Sequence, residues 1–262
     1  MPLAGFETFD LVHDGVTHTV YRCGQGPGVV IMHEIPGITP EVAHFARRVL
    51  DRGFTVYLPQ LFGTPGKPMS PLYMGQQLAL SCINREFSLL AKYRSSPVTD
   101  WLRALCRRAH QECGGPGVGA VGMCITGNFA LSLMVDASVM APILCEPSLP
   151  TPLTASHRAA LHLSAQDLAV VKRRVGQGCG VLGLRFTGDV LCPGERFDTL
   201  RRELGDGFEA IEIDSSWGNP HGVKATAHSV VTADLIDREG HPTHAALERI
   251  LAVFKERPTP AA

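Results

Sequence analysis

The chain has 262 residues, of which 45% are hydrophobic and 19% are charged, and its formal net charge is -1. This composition is typical of a folded globular protein and excludes the low hydrophobicity and high charge of disordered chains. Because no face or tail carries a run of lysines or arginines that could follow phosphates or anionic lipid, neither nucleic acid nor a membrane surface is an expected partner. The length suits one hydrophobic core, and we predict a single domain over residues 1–262.

The first residues lack a basic start followed by an apolar segment, and no stretch approaches the roughly 18 consecutive apolar residues of a membrane span. These features predict a cytoplasmic location. The eight cysteines include no Cys-x-x-Cys pair, which argues against a zinc site or a redox motif and favours reduced thiols.

Short apolar runs alternate with amphipathic segments along the chain. The predicted strands cover residues 29–32, 54–58, 117–122, 141–145, 181–186 and 210–213. The predicted helices cover residues 40–52, 128–135, 157–175, 195–204 and 245–255. A surface loop over 62–71 is rich in proline and glycine. This alternation predicts an α/β fold with a mainly parallel central sheet flanked by helices on both faces, and ligands bind beyond the carboxyl ends of such strands.

One cysteine stands on a predicted strand-to-helix turn. The segment Gly122-Met-Cys124-Ile-Thr-Gly127 resembles a nucleophile elbow, in which small residues let strand and helix approach. A thiol there gains from the positive end of the helix dipole, and the amide of Ile125 can face a developing oxyanion. Thr126 occupies a position where glycine is usual. The alternative is a buried structural cysteine in a glycine-rich turn.

Three segments in chain order carry a resemblance to a known family. They are His33-Glu34-Ile35-Pro36-Gly37, Gly122-Met-Cys124 and Phe186-Thr-Gly-Asp189-Val-Leu-Cys-Pro193. Together they resemble the dienelactone hydrolase family, from about Gly28 to the end of the chain. The resemblance implies an α/β-hydrolase fold and hydrolysis of enol-lactones and other esters by a Cys-His-Asp triad. It implies no metal and no organic cofactor.

Carried over by matching position, the resemblance assigns roles to further residues. Glu34 corresponds to a glutamate that contacts the resting thiol and helps to activate it. The amide of Ile35 joins that of Ile125 in an oxyanion hole, and Asp189 is the acidic member of the triad beside Cys124. Read without the family, Glu34 is a solvated loop carboxylate and Asp189 is a turn former.

Two histidines compete for the role of base. His228 lies in a small-His-Ser-apolar segment that matches the family, and we favour it. His221 follows the last predicted strand closely, and we expect the histidine that is not the base to line the same cleft. His33 precedes the elbow, which favours a structural or oxyanion-side role.

The expected substrate is a small ester, lactone or thioester. Dienelactone hydrolases bind a substrate carboxylate with arginines, but none occurs in the residues directly after His228, and Arg85 is the candidate replacement. Gln60 also stands where the family commonly has an aspartate. A catalytically silent relative that binds a small ligand or a partner is the alternative. A nucleotide-binding Rossmann domain is disfavoured, because the loop after the first buried strand has a single glycine.

Overall fold

The structure is a computed structural model, and it describes residues 3–83 and 86–256. Its strands are β1 (Glu7–His13), β2 (Val16–Cys23), β3 (Gly28–Met32), β4 (Thr55–Pro59), β5 (Val118–Met123), β6 (Val139–Cys145), β7 (Val181–Phe186) and β8 (Phe208–Ile213). Its helices are α1 (Pro40–Asp51), α2 (Pro71–Ile83), α3 (Val98–Cys113), α4 (Gly127–Leu133), α5 (Ala155–Ala159), α6 (Ala165–Gly176), α7 (Gly194–Leu204) and α8 (Pro242–Glu256).

The strands form one sheet in the order β1-β2-β4-β3-β5-β6-β7-β8. Strands β3 to β8 run parallel to one another, whereas β2 pairs antiparallel with both β4 and the edge strand β1. The six predicted strands correspond to β3 to β8, so the predicted mainly parallel sheet is confirmed.

The β1–β2 hairpin is an addition that the sequence reasoning did not predict. Asp14 and Gly15 connect the two strands, and both have positive φ, 48° and 77°, as a tight hairpin turn requires. Residues of β1 alternate between exposed and half-buried, which fits an edge strand with one solvated face.

Helices cover both faces of the sheet because alternate residues of the central strands point in opposite directions. Val30 and Met32 of β3 belong to a core with residues of α3, α4 and α7. Val29 and Ile31 belong to a second core with residues of α1 and α8. Burial on both faces explains why the central strands are continuously apolar in the sequence.

Two details of the helices test the sequence reasoning. Thr39 caps the predicted helix α1, because its hydroxyl accepts a hydrogen bond from the Val42 amide at 3.3 Å, and Gly53 follows with a positive φ of 86°. The predicted helix over 157–175 is instead two helices, α5 and α6. The helical conformation is interrupted between them at His162, whose φ is 55°, and Ser164 then caps α6.

The parallel topology brings five polar residues to one edge of the sheet. Glu34, Cys124, Glu146 and Asp189 follow the carboxyl ends of β3, β5, β6 and β7, and His228 lies in the long segment after β8. No helix among the described residues is long and apolar enough to cross a membrane.

Candidate active site

Cys124 lies on a strained turn between β5 and the helical turn that leads into α4. Its φ is 54°, in the left-handed region that residues other than glycine rarely adopt. A Cβ on Gly122 would lie 2.0 Å from the Thr126 carbonyl oxygen, and one on Gly127 would lie 2.6 Å from the Pro147 Cα. Both positions therefore require glycine, and the turn has the geometry of a nucleophile elbow.

Thr126 has a structural role in this turn. Its buried hydroxyl accepts a hydrogen bond from the Met123 amide at 2.9 Å. The hydroxyl proton can be donated to the carbonyl oxygens of Met32 or Met123, each 2.9 Å away, or to that of His33 at 3.3 Å. Thr126 thus ties the turn that carries Cys124 to the end of β3.

His228 and Asp189 form a hydrogen-bonded pair. Nδ1 of His228 donates to a carboxylate oxygen of Asp189 at 2.7 Å, and Asp189 is buried. The other carboxylate oxygen of Asp189 accepts from the Leu191 amide at 2.9 Å. Both residues are therefore fixed in orientation, as a base and its orienting acid require.

The second ring nitrogen of His228, Nε2, is buried and has no well-aligned hydrogen-bond partner among the described residues. Burial disfavours the charged ring, but the electrostatic interaction with Cys124 and the hydrogen bond to Asp189 outweigh it, so the pKa of His228 is raised. The surroundings thus favour the charged imidazolium form of His228.

His221 lies elsewhere. It is exposed and packs edge-on against His241, with 5.9 Å between ring centroids. Among the described residues that line the cleft around Cys124 and His228, His221 does not occur. The expectation that both histidines line one cleft is therefore wrong, because His221 stays on the surface.

Glu34 is almost completely buried, which excludes a solvated loop carboxylate. One of its oxygens accepts a hydrogen bond from Ser229 at 2.5 Å, and the other accepts from Thr232. Burial raises the pKa of the Glu34 carboxyl, although both hydrogen bonds oppose the rise. Among the described residues, no hydrogen bond joins Glu34 to the Cys124 thiol.

Ile35 and Ile125, whose amides we expected in an oxyanion hole, both line the cleft that holds Cys124. His33 is structural. Its Nδ1 donates to the Glu34 carbonyl at 3.0 Å, and its Nε2 accepts from the Leu61 amide at 3.1 Å. Burial lowers the pKa of His33 to about 4, so the ring is neutral and joins the loops after β3 and β4.

Two acidic residues were missed by the sequence reasoning. Asp234 accepts hydrogen bonds from the amides of His228 at 2.8 Å and Ser229 at 3.1 Å, which fixes the loop that carries the histidine. Glu146 is completely buried, and one of its oxygens accepts from the Val230 amide at 3.2 Å. Burial and the nearby Glu34 raise the pKa of Glu146 well above its ordinary value. The sequence did carry a signal for Glu146, because this carboxyl comes directly after the predicted strand that ends at Cys145.

Arg196 is a third residue that the sequence reasoning missed. Its buried guanidinium in α7 donates to the carbonyls of Pro147 at 2.6 Å, Pro150 at 2.7 Å, and His157 and Ala160 at 3.0 Å each. Burial lowers the pKa of Arg196 to about 10, so it remains charged at neutral pH. Arg196 thereby holds the segment after β6 that forms part of the cleft wall.

The cleft has a volume of about 510 Å³. Cys124, His228, Glu34 and apolar side chains from several loops and α2 line it. Arg85 lies outside the described residues. Within the described residues, no group of three or more histidine, cysteine or acidic side chains is arranged to hold a metal ion.

A mainly parallel sheet with a cysteine on a strand-to-helix elbow and a histidine–aspartate pair at the same edge defines an α/β-hydrolase. The chain belongs to the dienelactone hydrolase family, whose sequence model matches residues 14–170. This match includes Glu34 and Cys124 and ends before Asp189 and His228, which are hydrogen-bonded to each other, and His228 lines the same cleft as Cys124.

Known relatives agree with this assignment. A Saccharomyces cerevisiae protein named "Putative carboxymethylenebutenolidase" is 23% identical over 215 residues, which cover 81% of this chain and 70% of the yeast protein. The dienelactone hydrolase structure from Anabaena variabilis superimposes with a TM-score of 0.61 at 13% identity, covering 97% of this chain and 99% of that one. A structure titled "Putative Dienelactone Hydrolase" from Klebsiella pneumoniae gives 0.61 at 17% identity, covering 96% and 98%.

Proposed function

We propose that this protein hydrolyses a small ester, lactone or thioester through an acyl-enzyme formed on Cys124. His228 is the base and Asp189 is the acid that orients it. The observation that carries the proposal is the 2.7 Å hydrogen bond from His228 to Asp189 beside a cysteine on a strained elbow. The raised pKa of His228, to which the neighbouring Cys124 contributes, supports a thiolate–imidazolium pair.

In the first half of the reaction, the Cys124 thiolate attacks the acyl carbon and the carbonyl electron pair moves to oxygen. The amides of Ile35 and Ile125 stabilise this oxyanion. When the tetrahedral intermediate collapses, the bond to the leaving group breaks, and the His228 imidazolium gives its proton to the departing alkoxide or thiolate. The product of this half is a thioester on Cys124.

In the second half, neutral His228 removes a proton from water, and the resulting hydroxide attacks the thioester carbon. Collapse of the second intermediate releases the carboxylic acid and restores the thiolate. Asp189 keeps Nδ1 of His228 protonated throughout, so that Nε2 exchanges protons with the leaving group and with water. Glu34, held by Ser229 and Thr232, braces the loop that carries His228.

The test is turnover of p-nitrophenyl acetate together with alkylation by iodoacetamide at pH 7, with labelled residues mapped by mass spectrometry. We expect Cys124→Ala to lose at least about 10³-fold in kcat/KM, the scale seen when a catalytic nucleophile is removed. Cys179→Ala is the matched control, because Cys179 is a buried cysteine that does not line the cleft. It should keep wild-type turnover and rapid labelling of Cys124.

Two outcomes would contradict the proposal. If Cys124→Ala keeps its turnover, Cys124 is not the nucleophile. A Cys124 that alkylates no faster than an ordinary thiol, in a protein without turnover, would instead favour a catalytically silent member of the family that binds a small ligand.

A further inference from the structure

The cleft around Cys124 has a predominantly apolar wall. Six side chains from separate parts of the chain contribute to it, namely Met69, Met74, Leu78, Leu89, Leu149 and Leu191. Leu89 and Leu149 are buried, whereas Leu78 and Leu191 are 48% and 45% exposed. The free protein thus leaves apolar surface open to water next to the nucleophile, and a ligand that covers this surface gains from its burial.

The charged groups of the cleft are mostly engaged by the protein itself. The Glu34 carboxylate accepts from two hydroxyls, and the Asp234 carboxylate accepts from two backbone amides. Lys224 is the single lysine or arginine among the described residues that line the cleft. It belongs to the segment after β8, whereas Met74 and Leu78 belong to α2. The described wall therefore has no guanidinium that could bind an acyl-group carboxylate in bidentate fashion.

We propose that the acyl group of the substrate is uncharged and apolar, is longer than acetyl, and binds against Met74, Leu78 and Leu191. This inference rests on the proposed function, because it concerns the acyl group of the ester or thioester that Cys124 attacks. Leu78 is then a specificity-determining residue, and the acyl chain lies along α2.

The first test is a chain-length series of p-nitrophenyl esters, from acetate through butanoate and hexanoate to octanoate, in which the leaving group is constant. Full burial of one methylene is worth a factor of about four in binding, and a partly exposed wall gives less. We expect kcat/KM to rise about twofold to fourfold per methylene up to hexanoate. A kcat/KM that stays flat or falls along the series would overturn the inference. So would faster turnover of the p-nitrophenyl monoester of glutaric acid, whose acyl group bears a carboxylate, than of the uncharged esters.

The second test compares two substitutions on the same helix. Leu78→Asp places a charge on the cleft wall, whereas Leu72→Asp places the same charge on a side chain that is 85% exposed and does not line the cleft. We expect Leu78→Asp to lower the ratio of hexanoate to acetate turnover about tenfold and Leu72→Asp to leave it unchanged. Equal ratios in both variants and wild type would contradict a role for Leu78.

A binding measurement separates this inference from the proposed chemistry. Calorimetric titration of Cys124→Ala with hexanamide and acetamide needs no turnover, and we expect hexanamide to bind at least tenfold more tightly. Suppose that acetate turnover requires Cys124, but that kcat/KM does not rise along the ester series and Leu78→Asp does not change the ratio of hexanoate to acetate turnover. The hydrolase proposal then stands and the assignment of the acyl group is refuted. If no ester is hydrolysed but hexanamide is preferred, the chemistry falls and the apolar site stands. Equal or undetectable binding of both amides overturns the site.

Discussion

Replacing Thr126 with valine tests whether its hydroxyl holds the nucleophile turn together. Valine keeps the shape of the side chain but removes the oxygen that accepts from the Met123 amide at 2.9 Å and donates to a carbonyl at the end of β3 or in the turn. Thr126 is completely buried, so no water replaces the lost partner. A buried polar group left without a partner costs about 1–3 kcal/mol.

We therefore expect Thr126→Val to lower the free energy of unfolding by about 2 kcal/mol, which in a protein of this size corresponds to a fall in Tm of roughly 4–8 °C. Because the same hydroxyl fixes the turn that carries Cys124, turnover per folded molecule should fall as well. Urea denaturation gives the first quantity, and p-nitrophenyl ester hydrolysis below the transition gives the second.

Thr126→Ser is the matched control, since it keeps the hydroxyl and removes one buried methyl group. It should cost about 1 kcal/mol from lost packing and retain most of the activity. A Thr126→Val protein as stable and as active as wild type would refute the assigned role of the hydroxyl. So would a serine variant that loses as much activity as the valine variant.

Three further predictions concern the groups around Cys124. His228→Ala should abolish ester turnover, whereas His221→Ala should keep most of it because His221 is exposed outside the cleft; the reverse ranking would exchange their roles. Asp189→Asn should lower kcat by roughly 10²–10⁴-fold with little loss of fold and should slow alkylation of Cys124 at pH 7, because His228 loses the negatively charged partner that helps to raise its pKa. Unchanged alkylation would count against the pair. Glu146 holds its proton more tightly in the folded protein than in the unfolded chain, so the stability it contributes is complete below the ordinary carboxyl pKa of 4.5 and is lost as pH rises toward its raised value. Glu146→Gln should therefore gain stability relative to wild type between pH 5 and 7, by up to about 1.4 kcal/mol per pH unit in urea denaturation, and a difference that does not vary with pH would show that Glu146 does not titrate this way.

The sequence predicted the inner part of the sheet well, because strands buried on both faces are continuously apolar and cannot be confused with loops. It did not predict β1 and β2, whose half-exposed residues follow no simple apolar pattern, although Asp14-Gly15 is a recognised hairpin signal. The prediction of one helix over 157–175 is wrong, because the chain adopts a positive φ at His162 that no sequence pattern indicated.

The candidate site followed from the same logic. Cys124, Glu34 and Asp189 each lie within three residues of the end of a strand, and parallel strands bring such positions together. The supporting residues could not be found in this way, because their partners are distant in the sequence. Glu146 contacts an amide 84 positions away, and Arg196 binds carbonyls up to 49 positions away.

The four carbonyl hydrogen bonds of Arg196 have a consequence for how this cleft can change during evolution or in the laboratory. Leu149 lies in the segment that Arg196 holds. A substitution that shifts this segment leaves the buried guanidinium without acceptors, so such variants will misfold and be lost. The part of the wall on α2 carries side chains that are already open to water, and residues there can be exchanged with little effect on folding. A mutant library aimed at new acyl groups should therefore randomise α2 and leave the wall held by Arg196 intact.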